Sequence, residues 1–177
     1  MKFTTLSLAL MLPFAVYADN TVTFLGEISD STCNVTVNGA TGNISVLLPT
    51  TPASELSQSG DIAGQTPFKF VVSGCTAVTE QTVGMRLVPV STTSNGDLEN
   101  LATTNAASNV SIQLLDNYNN ASNVISFTSG EYTTPTLVNL PTGTNTVEFP
   151  FTAQYYATGA ASVGKVQTQL QYALTYN

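Results

Sequence analysis

The sequence predicts an all-β domain, a sandwich or barrel, and three observations carry that expectation. Thr, Ser, Asn, Val and Gly dominate while only 8% of residues are charged, a composition that suits pleated, half-buried strands. Short runs alternate between apolar and polar residues and are separated by Gly, Pro and Asn clusters. Counting these runs gives roughly seven or eight strands at irregular spacing, which favours a Greek-key sandwich. A length of 177 residues suits one core.

Residues 1–18 have the parts of an export signal: Lys2, an apolar stretch from Leu6 to Val16, and small residues Val16 and Ala18 ahead of a cut before Asp19. The stretch is shorter than the ~20 residues that span a bilayer. The expected mature chain, 19–177, keeps three cations, Lys69, Arg86 and Lys165, against eleven carboxylates, a net charge of −8. Without a basic cluster, such a chain is a poor candidate for phosphate backbones or anionic lipid surfaces, and nucleic acid is effectively excluded as a partner.

Thr21–Ser31 alternates, with Val22, Phe24, Gly26 and Ile28 on one side. It precedes the first cysteine and reads as a strand made for another copy of the chain. The alternation continues through Cys33, Val35 and Val37, and Asn38-Gly39 marks a turn. Ile44, Val46 and Leu48 form the next predicted strand, ended by Pro49. Thr50–Gly64 reads as an irregular crossing with a short helical turn at Ala53–Leu56.

Phe68, Phe70 and Val72 alternate toward Cys75, and Val83, Met85 and Leu87 alternate before Pro89. Ser91–Ser108 reads as a loop with only brief order. Val110, Ile112 and Leu114 give a clear strand, Asp116–Asn123 a turn, and 124–127 and 136–140 weaker strands. Val147, Phe149 and Phe151 alternate again, with Pro150 pointing away from the core, a placement that predicts an edge or a bulge.

The final segment is the most regular. Val166, Thr168, Leu170, Tyr172, Leu174 and Tyr176 fall on one face, with Gln167, Gln169, Gln171, Ala173 and Thr175 on the other. A strand at the end of a chain presents an open row of backbone donors and acceptors unless something pairs with it. The expectation is therefore of a partner from outside the chain.

Chemistry is sparse. The absence of His removes the commonest general base and zinc ligand, and the carboxylates are scattered, so no catalytic residue, metal or cofactor is assigned. Cys33 and Cys75, in an exported chain, are expected to form a disulfide, worth about 4 kcal/mol in the chain-entropy account. Asp97 and Glu99 come nearest to a cation loop but miss the EF-hand spacing. Tyr155, Tyr156, Tyr172 and Tyr176 could form a sugar platform, although alternation places Tyr172 and Tyr176 on the core side.

Taken together, TVTFLGEISDSTC at the start, Cys75, FPFTAQYYATGAASVG near the end, Gly164 fourteenth from the C-terminus and the penultimate Tyr176 resemble the subunits of chaperone-usher fimbriae, of the type 1 and F17-like kind. The resemblance implies an incomplete immunoglobulin-like sandwich that lacks its last strand, with 19–31 a donor extension and 32–177 the pilin domain. It implies that Val22, Phe24, Gly26 and Ile28 enter a neighbour's groove flanked by Gly164 and the Val166–Tyr176 row. It also implies three partners: a periplasmic chaperone, an outer-membrane usher and other subunits of a homopolymer. The function is then structural, a shaft subunit of a surface fimbrium supporting adhesion. An adhesin or adaptor that recognises a host glycan is the alternative.

Overall fold

The computed structural model describes residues 33–75, 81–140 and 146–176. The expected export signal and the extension with Val22, Phe24, Gly26 and Ile28 lie outside the described residues. Within them are nine strands: β1 (Asn34–Val37), β2 (Ile62–Ser73), β3 (Gln81–Pro89), β4 (Val110–Asp116), β5 (Asn123–Val124), β6 (Tyr132–Thr133), β7 (Val138–Leu140), β8 (Val147–Ala157) and β9 (Leu170–Tyr176). One sheet runs β1-β2-β8-β4-β5. In the other, β3 is the hub: β6 and β7 lie along one edge and β9 along the opposite edge. All of these pairings are antiparallel.

Alternation builds the core. Phe68, Phe70 and Val72 of β2 turn inward, as do Phe149, Phe151 and Ala153 of β8. The register sets Phe70 opposite Phe149 and Phe68 opposite Phe151. Phe70 meets Phe151 edge-on at 5.6 Å between ring centres, and across the sandwich it meets Tyr172 at 4.9 Å. Val83, Met85 and Leu87 of β3 supply the opposite layer, each fully buried. Burying each such side chain is worth about 1.5–3 kcal/mol.

The Asn38-Gly39 turn forms as expected: φ is +49° at Asn38 and +84° at Gly39, values that favour Asn and Gly. Val37 and Ala40 exchange both backbone hydrogen bonds across it. The disulfide joins Cys33 to Cys75, with Cα atoms 4.1 Å apart, where β1 begins and just beyond the end of β2.

Several expectations need correction. β2 starts at Ile62, inside the stretch expected to be irregular, although the turn at Ala53–Leu56 is present as a 3₁₀ helix. β6 was not foreseen, and the weak strands shrink to Asn123–Val124 and Val138–Leu140. Pro150 lies in β8, which is central rather than an edge. It is tolerated because β4 pairing stops at Asp116↔Phe151. The Pro150 carbonyl accepts from Asn117 N at 3.0 Å, so its ring nitrogen faces the side where that ladder has already ended. Ile44–Leu48 alternates in burial but belongs to no strand among the described residues.

Candidate functional site: an apolar groove between two unpaired edges

Ile44, Val46 and Leu48 are half-buried and pack on the core, while Ser45 and Leu47 face outward, Leu47 being 89% exposed. This is the pattern of a strand, yet no backbone group of 43–48 bonds another described residue. The segment forms one wall of a groove.

The opposite wall is 166–172. Val166, Thr168, Leu170 and Tyr172 are half-buried, and Gln167, Gln169 and Gln171 are exposed. The odd-numbered residues use their backbone on the far side. Lys165 N donates to Asn105 O (2.7 Å), Leu101 N to Gln167 O (2.6 Å) and Val90 N to Gln169 O (3.1 Å). In an extended chain the next residue's N–H and C=O point the other way. Val166 and Thr168 therefore turn theirs toward the groove, where they have no backbone partner among the described residues.

Between the walls lies a space of about 790 Å³, floored by Phe68, Phe70, Leu98, Ile112, Leu114 and Tyr155. Burial pushes the Tyr155 phenol up from its ordinary value. The Thr168 hydroxyl is buried without a hydrogen-bond partner among the described residues. The groove thus combines apolar surface with two rows of open backbone groups, and one added strand would satisfy both.

Of the row expected to flank a groove, the structure brings Val166, Thr168, Leu170 and Tyr172 to it. Leu174 and Tyr176 continue along β9, opposite Met85 and Val83. Gly164 stands at the entrance to the wall. A Cβ there would come within 2.4 Å of Ala107 N and 2.6 Å of the Ala106 carbonyl carbon, so only glycine lets the backbones cross. Sequence reasoning missed Leu98 and Tyr155 in the floor and the role of Ile44, Val46 and Leu48. The alternation of the last three was visible, but nothing local showed what they fail to pair with.

The other candidates resolve differently. Asp97 is 3% exposed and accepts from Gln113 at 3.1 Å, whereas Glu99 is exposed and accepts from Ser91 Oγ, so the two do not converge. Among the described residues no group of three or more His, Cys, Asp or Glu could hold a metal ion. Tyr155 and Tyr172, two rings of the possible sugar platform, line the groove.

Comparisons with known proteins agree with this geometry. The profile of the family described as Fimbrial protein matches residues 22–177. The F17 fimbrial protein of Escherichia coli is 37% identical over 164 residues, covering 89% of this chain and 87% of that protein. The major fimbrial subunit SMF-1 of Stenotrophomonas maltophilia (strain K279a) is 34% identical over 163 residues, covering 90% and 94%. A solved chaperone-usher pilus, described for the molecular basis of its rod uncoiling, shares the fold with a TM-score of 0.59 at 15% identity, covering 94% of this chain and 100% of that one. With a family profile across nearly the whole chain and relatives above 30% identity over most of it, the chain belongs to the fimbrial protein family, the subunits of chaperone-usher pili.

Proposed function

We propose that the groove accepts residues 20–31 of a second copy of the chain, and that the protein is the structural subunit of a fimbria built by repeating this exchange. The observation that carries the reading is the pair of facing backbone edges, 43–48 and 166–172, over an apolar floor. The alternating part of the leading segment, 22–28, is as long as the wall 166–172, each about 20 Å when extended. Val22, Phe24 and Ile28 supply the apolar cover, and Gly26 passes where the groove is shallow.

A subunit with this groove open exposes apolar surface and strand edges to water, which invites aggregation. A periplasmic chaperone lending a strand of its own covers the groove during export. At the outer-membrane usher the leading segment of the next subunit replaces that strand. The product is an extracellular fimbrium on a Gram-negative cell surface.

The test is a mature chain lacking residues 19–31, co-expressed with chaperone and usher. It should bind chaperone and join a fibre end, but electron microscopy should show no growth beyond it. Fibres of normal length from this truncation would overturn the reading.

A further inference from the structure

Ser111 and Gln113 alternate with Ile112 and Leu114 on β4 and so lie on the face opposite the groove floor. There they meet Asp97 and Gln154 in a buried polar cluster: Ser111 is 0% exposed, Asp97 3%, Gln154 3% and Gln113 9%. Gln154 Nε2 donates to Gln113 Oε1 at 2.9 Å, and Gln113 Nε2 donates to Asp97 Oδ1 at 3.1 Å. Ser111 Oγ lies 3.4 Å from Asp97 Oδ2 and 3.4 Å from the Tyr156 carbonyl oxygen.

Ser111 stands opposite Tyr156 in the β4–β8 register, and because Ile112 turns its backbone to Leu98, the Ser111 N–H faces β8 and serves the Tyr156 carbonyl. The Ser111 hydroxyl is therefore available to Asp97, whose carboxylate is held by two neutral donors, Ser111 and Gln113. A charge held at 3% exposure by neutral donors alone is costly, and a proton on the carboxyl removes it.

Among the described residues no cation offsets the carboxylate. Of the ionisable groups on elements packed against Asp97, Glu99 on the same loop is bonded to Ser91. Asp116 of β4 accepts from the Tyr132 hydroxyl, and Glu148 of β8 is paired with Lys69. Tyr155 and Tyr156 of β8 are phenols. The 126–128 segment that crowds Gly96 carries Ser126 and Thr128, both neutral.

The cluster is coupled to the groove. Leu98, next to Asp97, exchanges both backbone hydrogen bonds with Ile112, at 2.8 and 2.9 Å, and both side chains floor the groove. We propose that Asp97, Ser111, Gln113 and Gln154 form a proton-operated latch, in which uptake of one proton fastens the 92–98 turn to β4 and holds Leu98 in the groove floor. Burial pushes the Asp97 carboxyl above its ordinary value, with hydrogen bonds from Gln113 and Ser111 acting in the opposite sense. A folded pKa raised above the unfolded one gives stability that is fully present below the unfolded pKa and is lost as pH rises through the folded one.

The test uses assembled fibres of the full mature chain, wild type, Asp97→Asn and Ser111→Ala. Thermal unfolding and hydrogen exchange of 92–98, corrected for intrinsic rates, are followed from about pH 4 to about pH 7.5. At the upper end D97N should unfold higher than wild type, by on the order of 3 °C for each pH unit separating the two Asp97 pKa values. The gap should close at the lower end, where wild-type 92–98 becomes as protected as in D97N. S111A, which removes a donor to the carboxylate, should move the wild-type transition to higher pH and keeps the test open if D97N fails to assemble. A gap between wild type and D97N that is the same at every pH, or an S111A transition that does not move, would refute the latch.

Discussion

Gly164 is where one side chain decides whether a wall of the groove exists. A Cβ placed 2.4 Å from Ala107 N has backbone, not a flexible side chain, to displace, and such overpacking costs about 1–3 kcal/mol. Gly164→Ala should lower the urea midpoint of the chaperone-bound subunit accordingly, an effect that far-ultraviolet dichroism would follow. Thr168 poses the opposite case. Its hydroxyl is buried without a partner among the described residues, so Thr168→Val, which keeps the shape and removes the polar atom, should raise stability by about 1 kcal/mol. A lowered midpoint would show that the hydroxyl has a partner in the assembled protein.

At the scale of elements, local alternation located the core rows, though not β6 or the start of β2 at Ile62. The period-two rows of β2, β3, β4 and β8 depend only on neighbouring residues, and Phe68, Phe70, Val83, Met85, Ile112, Phe149 and Phe151 all point into the core. Pro150 misled because a proline forbids a donor, not a central strand. β8 is interior, yet at that residue the β4 ladder is over. Leu98 was illegible for another reason. It sits in an Asn-, Thr- and Ala-rich loop without periodicity and owes its place to two backbone bonds with Ile112. For the groove, the wall Val166–Tyr172 was visible as a row, but its opposite wall required knowing that Ile44–Leu48 finds no ladder. In the proposed assembly Phe24 of the leading segment is covered by a neighbour's groove, so Phe24→Ala should shorten fibres and speed their dissociation, since truncating a buried Phe to Ala costs about 3–5 kcal/mol. Fibre length after incubation in mild denaturant measures this.

For the whole molecule, the disulfide is a covalent link between the two ends of the β1–β2 unit. Cys75→Ser should cost about 4 kcal/mol and reduce the amount of chaperone-bound subunit recovered from the periplasm, which immunoblotting would report. Cys33 is also the described residue nearest the leading segment that, in the proposed assembly, tethers one subunit to the next. Tension along a filament would enter each subunit at this residue. Without the cross-link the pull would fall on β1, a four-residue strand at the margin of its sheet, and could peel it off one bond at a time. Through Cys75 the load passes directly to β2 and, across the long Ile62–Val72 ladder, to β8, where many bonds share it in shear. The cystine would serve as a mechanical bypass, letting a shaft of non-covalent joints bear traction without its subunits unravelling from the margin.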